Sequence, residues 1–140
     1  MTLMVPVRAA STAAFATLAC IAPLCASAQD VSPWIKDTYS SVRLIAGSRS
    51  GNVLLGGIGF QLQPGWKTYW RSPGDAGIPP SFDWSGSTNV KSVRLHWPAP
   101  EVFEANGLQT IGYHERLVLP VEITPEDPSR PVRLSLVMAL

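Results

Sequence analysis

The chain has 140 residues, enough for one ordinary domain, and carries 11 basic against 10 acidic residues, a formal net charge of +1. So even a balance supplies no field to attract nucleic acid or anionic lipid, which excludes binding modes built on a basic face. Only two cysteines occur, Cys20 and Cys25, and where they fall decides what sulfur chemistry the chain can hold.

Residues 1–28 read as a secretory signal peptide. Arg8 is the only charge, an alanine-rich apolar run follows from Ala9 to Leu24, and "ASA" at Ala26 to Ala28 offers small residues to a signal peptidase. Cleavage is expected between Ala28 and Gln29, so the mature protein would be exported. An uncleaved anchor fits the alanine and proline content poorly. Lipidation at Cys20 or Cys25 lacks the leucine three positions earlier. Both cysteines lie inside the signal, so the segment from Gln29 to Leu140 has no thiol for a disulfide, a nucleophile or a cysteine–zinc site. Removing Arg8 leaves ten basic and ten acidic residues. The remaining segment can bury a modest core, hiding roughly 65% of its unfolded surface.

Residues 29–38 form a leader in which Ser32-Pro33 could start only a short turn. From residue 39 to residue 140 the dominant period is two. "SSVRLIAG" sets Val42, Leu44 and Ala46 against Arg43 and Ile45. "NVLLGGIGFQLQ" puts Leu54, Ile58, Phe60 and Leu62 on one face. Val93, Leu95 and Trp97 align in "NVKSVRLHW", with Arg94 and His96 opposite. Leu117, Leu119, Val121 and Ile123 align in "RLVLPVEI", and Val132, Leu134, Leu136 and Met138 in "PVRLSLVMAL". Such alternation marks half-buried strands. "GSRSGN", "QPGW", "SPGDAG" and "TPEDPSRP" supply the turns between them. The expected class is all-β, a two-layer sandwich. Pro120 cannot donate to a ladder and is expected at an edge or a bulge. Gly56, Gly57 and Gly59 suggest a bent or closely approached strand, and "GGIG" lacks the spacing of a nucleotide fingerprint.

"GWKTYWRSPGDAGIPPSFDW", Gly65 to Trp84, holds three of the five tryptophans. Alternation places Trp66, Thr68 and Trp70 on one face, expected to fill a core beside Trp84. Lys67, Tyr69 and Arg71 fall on the other. The alternative is a surface on which Trp66, Tyr69, Trp70 or Trp84 holds a glycan or a partner protein, making the chain a non-catalytic periplasmic docking module. Other chemistry is sparse. His96 and His114 are the only histidines, and with Glu104 and Glu115 they could ligate a metal only if the fold gathers them. No Met/His cluster suits copper. No serine sits in "GxSxG", and the scattered acids specify no carboxylate pair. Neither metal nor cofactor is expected.

"SPWIKDTYSSVRLIAG", "GFQLQPGWKTYWRSPGDAGIPPSFDWSGSTNV", "LHWPAPEVFEANGLQTIGYHERLVLPVEITP" and "PVRLSL" together resemble the N-terminal periplasmic domain of the DsbD family, nearest its ScsB-like branch of thiol:disulfide interchange reductases. The resemblance covers residues 31–138. It implies an immunoglobulin-like β-sandwich. It also implies a protein-disulfide reductase role, in which reducing equivalents pass from a membrane-embedded relay domain to periplasmic thiol–disulfide proteins through a cysteine pair. In the family that pair follows the strand that "PVRLSLVMAL" resembles, and an aromatic residue caps it. Phe103 in "PEVFEANGLQ" falls near the cap position. With no cysteine between Gln29 and Leu140, the expectation is a sandwich incomplete at its C-terminus, cut before the pair and inactive alone.

Overall fold

The computed structural model describes residues 31–140. The signal peptide, its cleavage site and both cysteines therefore lie outside the described residues. Ten strands follow in chain order: β1 (Ile35–Lys36), β2 (Ser40–Ser50), β3 (Val53–Leu62), β4 (Lys67–Gly74), β5 (Ser81–Asp83), β6 (Val90–Leu95), β7 (Glu101–Ala105), β8 (Leu108–His114), β9 (Arg116–Pro125) and β10 (Val137–Ala139). Among the described residues there is no helix.

The strands form an all-β, immunoglobulin-like sandwich. One layer is a five-stranded sheet in the order β1-β2-β3-β9-β6. The other consists of a three-stranded sheet, β4-β8-β7, and a two-stranded sheet, β10-β5. Every ladder is antiparallel. Register follows from burial. Ile58 stands opposite Leu119 and Phe60 opposite Leu117, and all four are buried. A slip of one residue would turn all of them to solvent, so the pairing is strongly fixed. With Val121, Ile123 and Tyr113 they make the core. Against it pack Val42, Leu44, Trp70, Phe82, Trp84 and Met138 from both layers.

Gly57 and Gly59 are buried on the opposite face of the five-stranded sheet. A Cβ at Gly59 would meet Arg43 Cγ and Ile45 Cδ1, each at 3.3 Å. The close approach read from the glycines is therefore real, and it lets the Arg43 and Ile45 side chains lie flat. The Arg43 guanidinium in turn stands 4.4 Å from the centre of the Trp34 ring, a cation–π distance.

Two expectations change. Pro120 lies in β9, an interior strand, with no irregularity in its ladder to β3. His96 N donates to Pro120 O at 2.9 Å, so the backbone polar groups of residue 120 face the β6 side. They do so one rung beyond the last β6–β9 pair, Leu95–Val121. An antiparallel residue directs its N–H and C=O the same way, so the missing donor falls where the ladder is already ending. The long strand expected from Val132 to Met138 is regular only at β10. Val132, Leu134, Leu136 and Met138 all pack on the core as the alternation requires. Before β10, Arg133 exchanges two backbone hydrogen bonds with Thr88 and Ser135 pairs with the Ser87 hydroxyl instead of a neighbouring strand.

Candidate functional site

"QPGW" builds the first wall of the site. Pro64 followed by Gly65 at φ 81° is the chemistry of a type II turn, and Trp66 N donates to Gln63 O at 2.9 Å. β4 begins only at Lys67. Thr68 and Trp70 turn inward as expected. Trp66 does not: it is 46% exposed and stacks on Tyr39 at 3.6 Å and 15°. The turn, not the alternation, sets its direction. Trp70 and Trp84 pack, partly buried, against the core, so of the rings proposed for a ligand platform only Trp66 is exposed, and Tyr69 is partly buried.

β7 and β8 form the second wall. They make a hairpin closed by Asn106 (φ 54°) and Gly107 (φ 77°), a two-residue turn of the type favoured by Asn-Gly. Phe103 pairs with Thr110 and Glu101 with Gly112. On the other side of β8, Lys67 pairs with His114 and Tyr69 with Gly112. These registers gather Lys67, Glu101, Phe103, Thr110 and His114 on the outer face of the small sheet. Lys67 Nζ stands 4.6 Å from the Phe103 ring centre and donates to Thr110 Oγ1 at 3.4 Å. His114 meets the same ring edge-on, 5.9 Å between centres and 89° between planes. Its Nδ1 lies 2.9 Å from Glu101 Oε1, and its Nε2 lies 3.8 Å from Glu115. Phe103 thus sits half-buried in a regular strand.

Between these walls lies a cleft of about 700 Å³ bounded by Trp66, Lys67, Phe103, His114 and Arg116. A second, of about 420 Å³, is bounded by Tyr39, Trp66, Lys67, Tyr69 and Leu140. Trp66 and Lys67 border both. Phe103 borders only the first and Leu140 only the second. Beneath the sheet, burial holds the Tyr113 hydroxyl above its ordinary pKa, partly offset by the Arg71 charge. That hydroxyl donates to Pro98 O at 2.8 Å.

Of the four residues weighed as metal ligands only His114 and Glu115 come near each other, at 3.8 Å. His96 pairs with Glu122 at 3.3 Å on the five-stranded sheet, and Glu104 accepts from Gln109 at 2.6 Å. Among the described residues no group of three His, Cys, Asp or Glu side chains is placed to hold a metal ion. The sequence reading missed Lys67 and His114 as neighbours of Phe103. The Asn106-Gly107 turn signal would have found His114, because it fixes the β7–β8 hairpin and hence the face shared with Phe103; Lys67, on β4, lies outside that hairpin.

A family model described as "Thiol:disulfide interchange protein DsbD, N-terminal" matches residues 42–139. The crystal structure of the N-terminal periplasmic domain of ScsB from Proteus mirabilis is similar, with 30% identity and a TM-score of 0.61. The match covers 78% of this chain and 49% of that one, so this chain spans about half the length of its structural relative. No curated protein matches the chain as a relative. The family match runs from β2 through β10 and therefore takes in both sheets that carry the clefts; the chain belongs to the DsbD N-terminal family of thiol:disulfide interchange proteins.

Proposed function

We propose that this chain is periplasmic, exported by the signal peptide of residues 1–28, and forms the partner-facing domain of a protein-disulfide reductase. In the intact protein a cysteine pair in a following segment would carry the chemistry. One thiolate attacks the disulfide of a periplasmic substrate protein and forms a mixed disulfide. The second thiolate then displaces the substrate thiolate. The substrate gains two electrons and two protons, and the pair is left as a disulfide. A membrane-embedded dithiol domain restores it. The observation that carries this reading is the family match over residues 42–139 together with the 30% identical periplasmic ScsB domain.

Two features of the fold support it. Among the described residues β4 has no strand on its outer side, so its backbone edge is open to pairing with a further strand. Such a strand would bring a following segment close to the Trp66 clefts that β4 borders. In this reading Phe103 shields the pair between encounters, and no cofactor or metal takes part. The stacked, exposed Tyr39 and Trp66 favour a docking role for that corner: an aromatic face is a common anchor for a partner protein.

The test is thiol reactivity in the intact protein. Phe103→Ala is expected to speed alkylation of the reduced pair while leaving the folded far-UV spectrum in place. An unchanged rate would remove Phe103 from the shielding role. The 140-residue chain, processed at Ala28, is expected to show no reductase activity; measurable activity would overturn the need for an added pair.

A further inference from the structure

We infer that Lys67 is a positioning residue for Phe103, an inference that rests on Phe103 as the shielding ring. The ring lies on β7, which among the described residues pairs only with β8. Backbone hydrogen bonds hold the strand but do not fix where the side chain lies. The groups on its face do that. Lys67 reaches from β4 across β8 and sets its ammonium 4.6 Å from the Phe103 ring centre. The buried Thr110 hydroxyl anchors the same nitrogen at 3.4 Å. Glu101, the acid on this face nearest in register, is engaged by His114 at 2.9 Å. Among the described residues no carboxylate lies within salt-bridge distance of Lys67. The ammonium is therefore left to the ring. A half-buried cation over an aromatic face is attracted by the ring quadrupole, while His114 closes the ring edge at 5.9 Å. Lys67 also borders the cleft that reaches Leu140. A partner that draws its ammonium away would release Phe103 in the same movement.

The expected effect is a 2- to 5-fold fall in the ratio of held to released ring when the cation is removed, roughly the weight of one partly exposed cation–π contact. The test uses the full chain carrying 4-fluorophenylalanine, with the Phe103 resonance identified by its loss in Phe103→Leu. Lys67→Met is expected to shift that resonance and raise its relaxation by a soluble gadolinium chelate, leaving the Phe60 and Phe82 signals in place. Lys67→Arg, which keeps the cation, is expected to restore the native signal. If Lys67→Met and Lys67→Arg behave alike, or if Lys67→Met leaves Phe103 unmoved, Lys67 does not position the ring. Should Lys67→Met prove unfolded, Thr110→Val removes the anchor alone and must move the Phe103 signal in the same direction. The shielding role fails separately: Phe103→Ala without effect on thiol alkylation would sink it even if Lys67 holds the ring.

Discussion

Leu119 and Val118 are neighbours in β9 with opposite fates, and the contrast tests the sandwich. Leu119 is fully buried and stands directly across from Ile58, itself fully buried. Val118 is 54% exposed on the other face. Leu119→Ala removes buried carbon from a wall whose opposing residue is anchored in its own strand, so the space cannot close. Such truncations cost about 2–5 kcal/mol, and a value of about 3 kcal/mol is expected here. Val118→Ala, at a half-solvated position, is expected to stay within about 0.5 kcal/mol. The assay is urea unfolding of the chain processed at Ala28, followed by tryptophan fluorescence. With an m-value of about 1.5–2 kcal/mol per molar, Leu119→Ala displaces the midpoint by roughly 1.5–2 M and Val118→Ala by a small fraction of that. Equal displacements, or the reverse order, would refute the register that places Leu119 in the core.

Three other expectations follow from the same coordinates and a fourth from the sequence. Gly107→Ala, which forces a side chain into φ 77° at the hairpin turn, should lower stability by about 1 kcal/mol in the same assay and loosen amide protection in β7. Stability should fall in alkali: the folded state keeps the Tyr113 proton above the unfolded value of about 10, so its contribution is complete below that pH and lost as pH rises to the raised pKa. Tyr113→Phe should flatten this limb of the pH profile. In acid the sign reverses. A hydrogen bond from the Ser85 amide lowers the Asp83 pKa, and bonds from the Ser129 hydroxyl and amide lower that of Asp127. Their contribution is present above about pH 4 and lost as pH falls through the depressed values; denaturation midpoints between pH 2 and 6 should show it. Finally, intact mass of the secreted chain should place its first residue at Gln29.

Periodicity made the large sheet legible because β9 alternates buried with less buried residues and β3 sets its large apolar side chains on one face. Ile58 and Phe60, like Leu117 and Leu119, could be turned inward from the sequence; which strand faced which could not. Where local turn geometry overrides the period, alternation misleads. Trp66 has the parity of Thr68 and Trp70, yet the Pro64-Gly65 turn swings it outward onto Tyr39. Pro120 misleads for a different reason: its cost depends on where the neighbouring ladder stops, which is a tertiary fact. Phe103 could be singled out, but its setting could not. Lys67 lies 36 positions earlier, and only the β4–β8–β7 registers bring it to the ring. Val132 to Met138 kept its inward parity and lost most of its ladder, because side-chain packing and strand pairing are separate requirements.

The most direct measurement is the nucleotide sequence beyond the codon for Leu140 in the transcript. The proposed reductase role predicts a frame that continues with two cysteines a few residues apart and then hydrophobic spans. A stop codon in every copy, or a continuation without paired cysteines, would contradict the proposal that this sandwich presents a dithiol to periplasmic partners.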